Sequence, residues 1–408
     1  MSGNLKNVDV VCFGGEDWWY HNRGHIDMQM MRRFAKVGTT LYINSIVMQR
    51  PRVTKGNRLL MKLCRKTKSI LKGVRKTEAG FWVCSPLSLP MHHSAWARSL
   101  NTSILQHQVR SVMRRLRMAN PIVWVACPAA CETALQLGGT KLVYQRTDRY
   151  EEFPNVDMNQ IKEYDRKLKL NADLTIFACR ALYEHEAGEC KNALYLDHGV
   201  DYDMFALAEK DDTIPADIAS IPKPIVGFFG EIENHTVDAD FLAEVADRLP
   251  TMSFVLVGRI VSECSCLLAK KNVYALGQKP YELVPHYGKC FDVAIMPWRQ
   301  NNWIKACNPI KLKEYLALGK PIVSTPFSEL SKYKDVVYEA KTPAEFALCI
   351  EKALAEDSEV LVTARREKVS KATWASKAQL VYDALFGKAD DFTGSDSRGS
   401  TTSTKTPV

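Results

Sequence analysis

The 408-residue sequence predicts an α/β protein: two doubly wound, Rossmann-like domains facing a cleft. Three observations predict it. Short β-rich runs alternate with helical stretches twice over. The runs are continuously apolar, as strands covered on both faces of a parallel sheet are. A polar stretch with three prolines, residues 207–224 (LAEKDDTIPADIASIPKP), separates the two blocks.

In the first block the strands are expected at residues 8–13, 40–43, 81–84, 121–126, 142–144, 174–178 and 193–196. Helices are expected over 25–37, 97–118 and 159–171. In the second block the strands are 224–229, 253–257, 273–275, 293–296 and 321–324, with helices near 237–248, 309–318 and 343–355. The domains are then 1–206 and 225–389, joined by a linker at 207–224. Residues 390–408 are rich in Ser, Thr and Gly without apolar periodicity and read as a disordered tail. Doubly wound sheets bind ligands beyond the carboxyl ends of their strands, which puts the site in the cleft.

The chain is 46% hydrophobic and 25% charged, which excludes global disorder. It has no run of 18 apolar residues, so no membrane-spanning helix is expected. The opening MSGNLKNVDVVCFGG leads into glycines and charges, and reads as a buried strand rather than a signal peptide. A cytoplasmic location follows as the expectation. Twelve cysteines without a CxxC pair read as reduced thiols, not as a zinc site. Net charge is +9, yet residues 50–76 alone hold eleven Lys and Arg with no Asp or Glu. Without that segment the charge falls to −2. Within 58–76, Leu59, Leu63, Ile70, Leu71 and Val74 recur at helical spacing among the cations. This predicts a basic amphipathic helix on an anionic membrane surface. With no interleaved aromatics and no RNA-binding motif, a nucleic-acid partner is not expected.

The most informative stretch is residues 308–325, NPIKLKEYLALGKPIVST. Asn308 is a good N-cap, Pro309 a good first helical residue, and Gly319 a helix stop. Lys311 lies in the first turn, where the helix dipole disfavours a cation unless an anion sits at the helix end. A diphosphate fits that place. Glu314 follows on the same face, where its carboxylate accepts hydrogen bonds from a ribose diol.

This stretch resembles the nucleotide-binding helix of the GT-B glycosyltransferases, especially the bacterial group 1 families. Glu314 matches the glutamate that grips the donor ribose. YLDHGVDYDMF at 195–205 is similar to the family's Asn-Gly-Val-Asp…Phe segment, with His198 in place of Asn. IVGFFGE at 225–231 resembles the first strand and glycine turn of the donor domain, and Thr373 and Trp374 match the terminal helix. The resemblance spans residues 8–386. It implies the GT-B fold with its C-terminal helix packing back, an acceptor-binding N-terminal domain and a nucleotide-sugar-binding C-terminal domain. Donor contacts are implied at Gly230, Gly258, Arg259, Asn308, Lys311 and Glu314. The nucleobase is expected against 258–259 and 277–279, near Tyr281 or Leu283.

Two departures stand out. Ala306 occupies the place of a second glutamate that retaining members carry. The turn after the first donor strand reads EIENHT, with no cation. The diphosphate charge then falls to Lys311, the helix end, and Arg299 or Lys305. These departures resemble subfamilies that assemble bacterial polysaccharides on lipid-linked acceptors, xanthan-type glucuronosyltransferases among them.

The acceptor side is expected from two N-terminal loops. GGEDWWYHNRGH at 14–25 offers Trp18 and Trp19 for stacking on sugars, and Asp17 and His25 as bases. YQRTDRY at 144–150 offers Asp148 at a strand end, the first choice for the base, since polysaccharide-related members often carry Asp there. Arg146 and Arg149 are expected to keep it ionised or to bind an acceptor phosphate.

The expected activity is transfer of a hexosyl unit from a nucleotide-sugar to a glycan or lipid-linked acceptor, at the inner face of the membrane. No DxD motif stands at a strand end, so no metal is expected. The alternatives are a nucleotide-sugar 2-epimerase of the same fold and a non-catalytic glycan-binding scaffold.

Overall fold

The computed structural model describes residues 8–20, 24–46, 67–87, 95–153, 156–305 and 307–387. The N-terminal sheet contains β1 (Val10–Phe13), β2 (Thr40–Ile43), β3 (Val74–Lys76), β4 (Trp82–Cys84), β5 (Ile122–Val125), β6 (Lys141–Arg146), β7 (Leu174–Phe177) and β8 (Ala193–Tyr195). Their order is β3-β4-β2-β1-β5-β6-β7-β8, parallel except for β3 against β4. The C-terminal sheet contains β9 (Ile225–Phe229), β10 (Ser253–Val257), β11 (Val273–Gly277), β12 (Val293–Met296), β13 (Ile322–Ser324) and β14 (Tyr338–Glu339). Its order is β11-β10-β9-β12-β13-β14, all parallel.

The central strands are apolar from end to end because helices cover both faces. VVCF in β1, IVWV in β5 and IVGFF in β9 are buried at every position. Strand order reverses beside β1 and beside β9. The loops leaving those strands therefore open onto the crevice where such sheets hold ligands.

Three expectations need correcting or placing. The basic helix expected over 58–76 is only partly present: residues 67–71 are helical, but Val74–Lys76 is an antiparallel edge strand. Gly73, at φ +63°, turns the chain between them. The rest of the basic segment, Ala306 and the 390–408 tail lie outside the described residues. The 207–224 stretch is not a free linker. Ile218 and Ile221 join the C-terminal core together with Val200 and Phe205, and Asp217 holds Lys279 at 2.5 Å and the Tyr287 hydroxyl at 2.8 Å. The C-terminal core thus begins near residue 200.

The terminal helix Trp374–Phe386 does pack back. Trp374, Ala378, Val381 and Leu385 are buried in the N-terminal core with Met30 and Phe34. Thr373 caps it by accepting from the Ser376 N–H. Gly199 is required beneath Trp374, since a Cβ there would lie 2.6 Å from the indole. Among the described residues no helix is long and apolar enough to cross a membrane.

Candidate active site

The C-terminal wall of the cleft is built on the ends of β9, β10 and β12. Gly230 and Gly258 adopt φ +140° and +157°. A Cβ at Gly230 would lie 2.5 Å from the Lys311 Nζ, and one at Gly258 would lie 1.8 Å from the Gly230 carbonyl oxygen. Only glycine lets the two turns and the lysine approach this closely. Lys311 reaches back from the first turn of the helix Ile310–Leu318. Its Nζ sits 4.6 Å from the Phe228 ring centroid and 4.5 Å from that of Trp298. Burial pulls the amine down to about 8, against the attraction of Glu314.

Glu314 is buried, and the Tyr281 hydroxyl donates to its Oε1 at 3.0 Å. Burial pushes its carboxyl up to about 7, opposed by that hydrogen bond and by Lys311. Tyr281 thus orients Glu314, whereas Leu283 is exposed.

Asn308 does not cap the helix. The cap position is Pro309, with no side-chain hydrogen bond. The Asn308 amide instead donates to the Ala178 carbonyl and to Asp197, each at 2.8 Å, tying the two domains together. The consequence is a helix N-terminus with no side-chain cap, beside an amine.

The turn after β9 has no cation of its own, but Arg259 reaches it from the turn after β10. Arg259 Nε and Nη2 donate to Glu231 at 3.1 and 2.6 Å. Arg299 leans toward Asp238 and Asp240 at 3.6 and 3.9 Å.

On the N-terminal wall Asp148 lies just beyond β6, half-buried. Burial pushes its carboxyl up to about 6, against the pull of Arg146 and His25. Desolvation therefore outweighs the pull of Arg146 on this carboxyl. Arg146 is also unavailable to a phosphate. Its buried guanidinium is spent on Glu151 at 2.9 and 3.0 Å, Glu186 at 3.1 Å and Asp165 at 3.3 Å. A buried guanidinium has five N–H groups to satisfy, and these carboxylates satisfy them. Arg149 pairs with Glu152 at 3.4 Å.

His25 is exposed at the entry of the helix Ile26–Phe34, within the field of Asp148. Asp17 sits elsewhere in its loop, accepting from the Trp19 N–H at 2.9 Å, Ser69 at 2.9 Å and Asn44 at 3.2 Å. Trp18 is 2% exposed and stacks edge-on against Phe81 at 4.6 Å. It packs the loop and offers no face to a sugar, contrary to expectation. Trp19 is half-buried beneath the Lys72 amine.

The two walls meet at Cys307. Burial, and next the Asp148 carboxylate, push its thiol well above the usual range, and Lys311 acts on it from the other side. Asp148, Cys307, Lys311 and Glu314 form one electrostatic series across the cleft. Such clustering of displaced acidities marks functional sites.

The two-domain fold is shared by known structures. Sucrose-phosphate synthase of Thermosynechococcus elongatus superposes with a TM-score of 0.67 at 12% identity, covering 92% of this chain and 97% of that one. α,α-Trehalose 6-phosphate synthase of Burkholderia multivorans gives 0.60 at 12%, covering 93% and 98%. Anabaena HepE, solved in complex with UDP and glucose, gives 0.56 at 14%, covering 93% and 95%. These likenesses define a GT-B fold. Residues 223–356 match the family of group 1 glycosyl transferases. A Bacillus subtilis (strain 168) protein, named as the teichuronic acid biosynthesis glycosyltransferase TuaH, is 27% identical over 251 residues. That match spans 57% of this chain and 63% of the relative's length. The chain thus has the GT-B fold of these structures, and its residues 223–356 carry a group 1 glycosyl transferase domain.

Proposed function

We propose that this protein transfers a sugar from a nucleotide diphosphate donor to a hydroxyl of a glycan or lipid-linked acceptor in cell-surface polysaccharide synthesis. The observation that carries the reading is the opposition of Asp148 on one wall to Lys311 and an uncapped helix end on the other. The UDP and glucose bound by HepE support the donor class, and the name of TuaH supports the polysaccharide.

In this reading Asp148 takes the proton of the acceptor hydroxyl as its oxygen bonds to the sugar C1. The bond from C1 to the diphosphate oxygen breaks, and the electron pair leaves with the nucleotide. Lys311, Arg259 and the free N–H groups of the helix Ile310–Leu318 stabilise that charge. Glu314, oriented by Tyr281, holds the ribose. With a carboxyl near 6, Asp148 is ionised roughly ten to one at pH 7, which suits a base.

The test is a thermal-shift screen of UDP-, GDP- and dTDP-sugars, followed by nucleotide release with glycan acceptors. One nucleotide-sugar should raise the melting temperature. No shift from any of them, with no nucleotide release, sinks the reading. Incubation with donor alone should leave the sugar unchanged, as it would not with an epimerase.

The same proposal places the protein on the anionic inner surface of the membrane. The basic run at 50–76 supports this, as do Trp96, Leu100, Arg110, Arg114 and Arg115, exposed along the helix Ala95–Arg115. Co-sedimentation with anionic vesicles should fall as salt rises, because exposed charges are screened over about 8–10 Å. Equal pelleting at both salts rules it out.

A further inference from the structure

The helix Ile26–Phe34 carries two consecutive arginines in its last turn, and both reach out of the N-terminal domain. Arg33 is anchored from its own helix: its Nη1 donates at 3.1 Å to the Oε1 of the fully buried Gln29, one turn earlier. Its Nη2 donates to Asp201, at the start of the C-terminal core. Both side chains of that pair are less than a fifth exposed, so solvent screens it little. Arg32 lies 3.6 Å from Glu282.

Both arginines thus end beside the support of Glu314. Asp201 opens the helix Tyr202–Ala206, whose Phe205 ring lies 6.1 Å from that of Tyr281. Tyr281 precedes Glu282 and donates to Glu314, and Arg32 acts on it as well. The charged and titratable groups that face Glu314 come from three elements. Lys311 and Tyr315 stand on its own helix, Tyr281 follows β11, and Asp201 opens the C-terminal core. Burial does most to push the Glu314 carboxyl up to about 7; the Tyr281 hydrogen bond and Lys311 oppose this, and Asp201 adds to it. Asp201 is a like charge acting on a buried carboxylate, and a neighbouring carboxylate disfavours ionisation. A guanidinium held on Asp201 offsets that opposition.

We propose that Arg33 is a positioning residue of the donor site: by pairing with Asp201 it keeps the Glu314 carboxylate available to the ribose of a nucleotide diphosphate. With Asp201 left bare, its charge repels that of Glu314, and the buried carboxyl keeps its proton instead. The N-terminal domain thereby takes part in a donor site whose proposed contacts all lie on the C-terminal domain. This rests on the ribose role read for Glu314 above.

The test is calorimetric titration with UDP, GDP and dTDP between pH 6 and pH 9. The proteins are wild type, Arg33→Met, Arg33→Lys, Asp201→Asn, and Glu314→Gln with and without Arg33→Met. Ratios to wild type at each pH cancel the titration of Lys311 and of the nucleotide phosphate. Arg33→Met should weaken the nucleotide about fivefold at pH 7. A tenfold gain in proton affinity leaves a carboxyl near 7 ionised about one time in eleven, rather than half the time. The deficit should close by pH 9, where the carboxyl is ionised in both proteins. Arg33→Lys keeps the charge and should stay within about twofold of wild type. Asp201→Asn breaks the same pair yet should strengthen binding below pH 7, because the repelling carboxylate is gone. In the Glu314→Gln background, which has no carboxyl to titrate, Arg33→Met should change affinity by less than about twofold. If Arg33→Met does not fold, the direction of the Asp201→Asn effect decides. Losses in both Arg33→Met and Asp201→Asn that do not vary with pH are those of a purely structural pair; they overturn the proposal and leave the donor site standing. So does unchanged affinity in both. A wild type that binds none of the three nucleotides overturns the donor site as well.

Discussion

Lys311 and Lys313 stand two residues apart on the helix Ile310–Leu318, and burial pulls both amines down to about 8. Two residues are about 200° of helix, so the amines leave opposite faces. Lys313 ends in a finished joint: it pairs with Asp197 at 2.7 Å and donates to the His198 carbonyl. Lys313 and Asn308 in turn hold Asp197 down to about 2, so the pair is charged at neutral pH. Lys311 lies against ring faces and the Gly230 turn and, among the described residues, has no carboxylate at ion-pair distance. One face of the helix is closed structure that fastens the domains. The other is an unmatched cation beside open N–H groups. In the proposed reaction, the helix that docks one domain on the other thus also receives the donor.

The largest effect should come from the opposite wall. Asp148→Asn is expected to lower turnover at least a hundredfold, the usual range for removing a positioned base being about 10²–10⁴. Nucleotide affinity should stay put, because the base acts on the acceptor. Steady-state rates with calorimetric donor binding check this. Equal loss of rate and affinity would mean that Asp148 supports the donor site instead.

The two lysines should then separate by assay. Lys313→Met leaves Asp197 as an unpaired buried charge. The cost should be about 3 kcal/mol, the low end for a broken buried pair, since about a fifth of the Asp197 side chain still meets water. Chemical denaturation reads that loss. Lys311→Met should fold normally and weaken nucleotide binding about tenfold, as loss of one charge-assisted hydrogen bond does. Matching stability losses in both variants would erase the distinction between the faces.

How far this was legible from sequence follows the same division. Lys311, Glu314, Gly230 and Gly258 are short-range signals: a first-turn cation, an i+3 carboxylate, glycines at strand ends. Periodicity likewise exposed both sheets. Asp148 was legible as a charged residue at a strand end. What escaped depends on partners far along the chain. Asn308 looks like a cap until Asp197, 111 residues away, takes its amide. Arg146 looks like a phosphate ligand until Glu151, Glu186 and Asp165 enclose it. Trp18 looks exposed in a polar loop, and only Phe81 shows that it is core. The edge strand Val74–Lys76 was hidden because its sequence reads equally well as the end of a helix.

A pH profile sharpens the contrast between the lysines. As pH falls through about 6, Asp148 takes up a proton and no longer accepts one from the acceptor. As pH rises through about 8, Lys311 loses the charge that offsets the leaving diphosphate. The rate with limiting substrate should therefore be bell-shaped between these limits. Lys311→Arg should abolish the alkaline limb near 8, because a guanidinium stays charged there. If the limb persists, the titrating group is another, and Lys313 at the domain joint becomes its source.

The smallest expected effect is that of chelation. A diphosphate leaving group needs positive charge, and enzymes supply it from a divalent cation, from side chains and helix ends, or from both. Here the Lys311 face offers an amine, a helix N-terminus without a side-chain cap, and the Arg259 guanidinium within one turn of Gly230. If these protein charges carry the leaving group in the proposed reaction, excess EDTA should leave the rate within about twofold of the untreated enzyme. Rates measured with EDTA, and again after added magnesium or manganese, decide it. A rate that collapses with EDTA and returns with metal would mean that the Lys311 face carries only part of the charge. Glu231, now paired with Arg259, would then be the first carboxylate to replace with Gln.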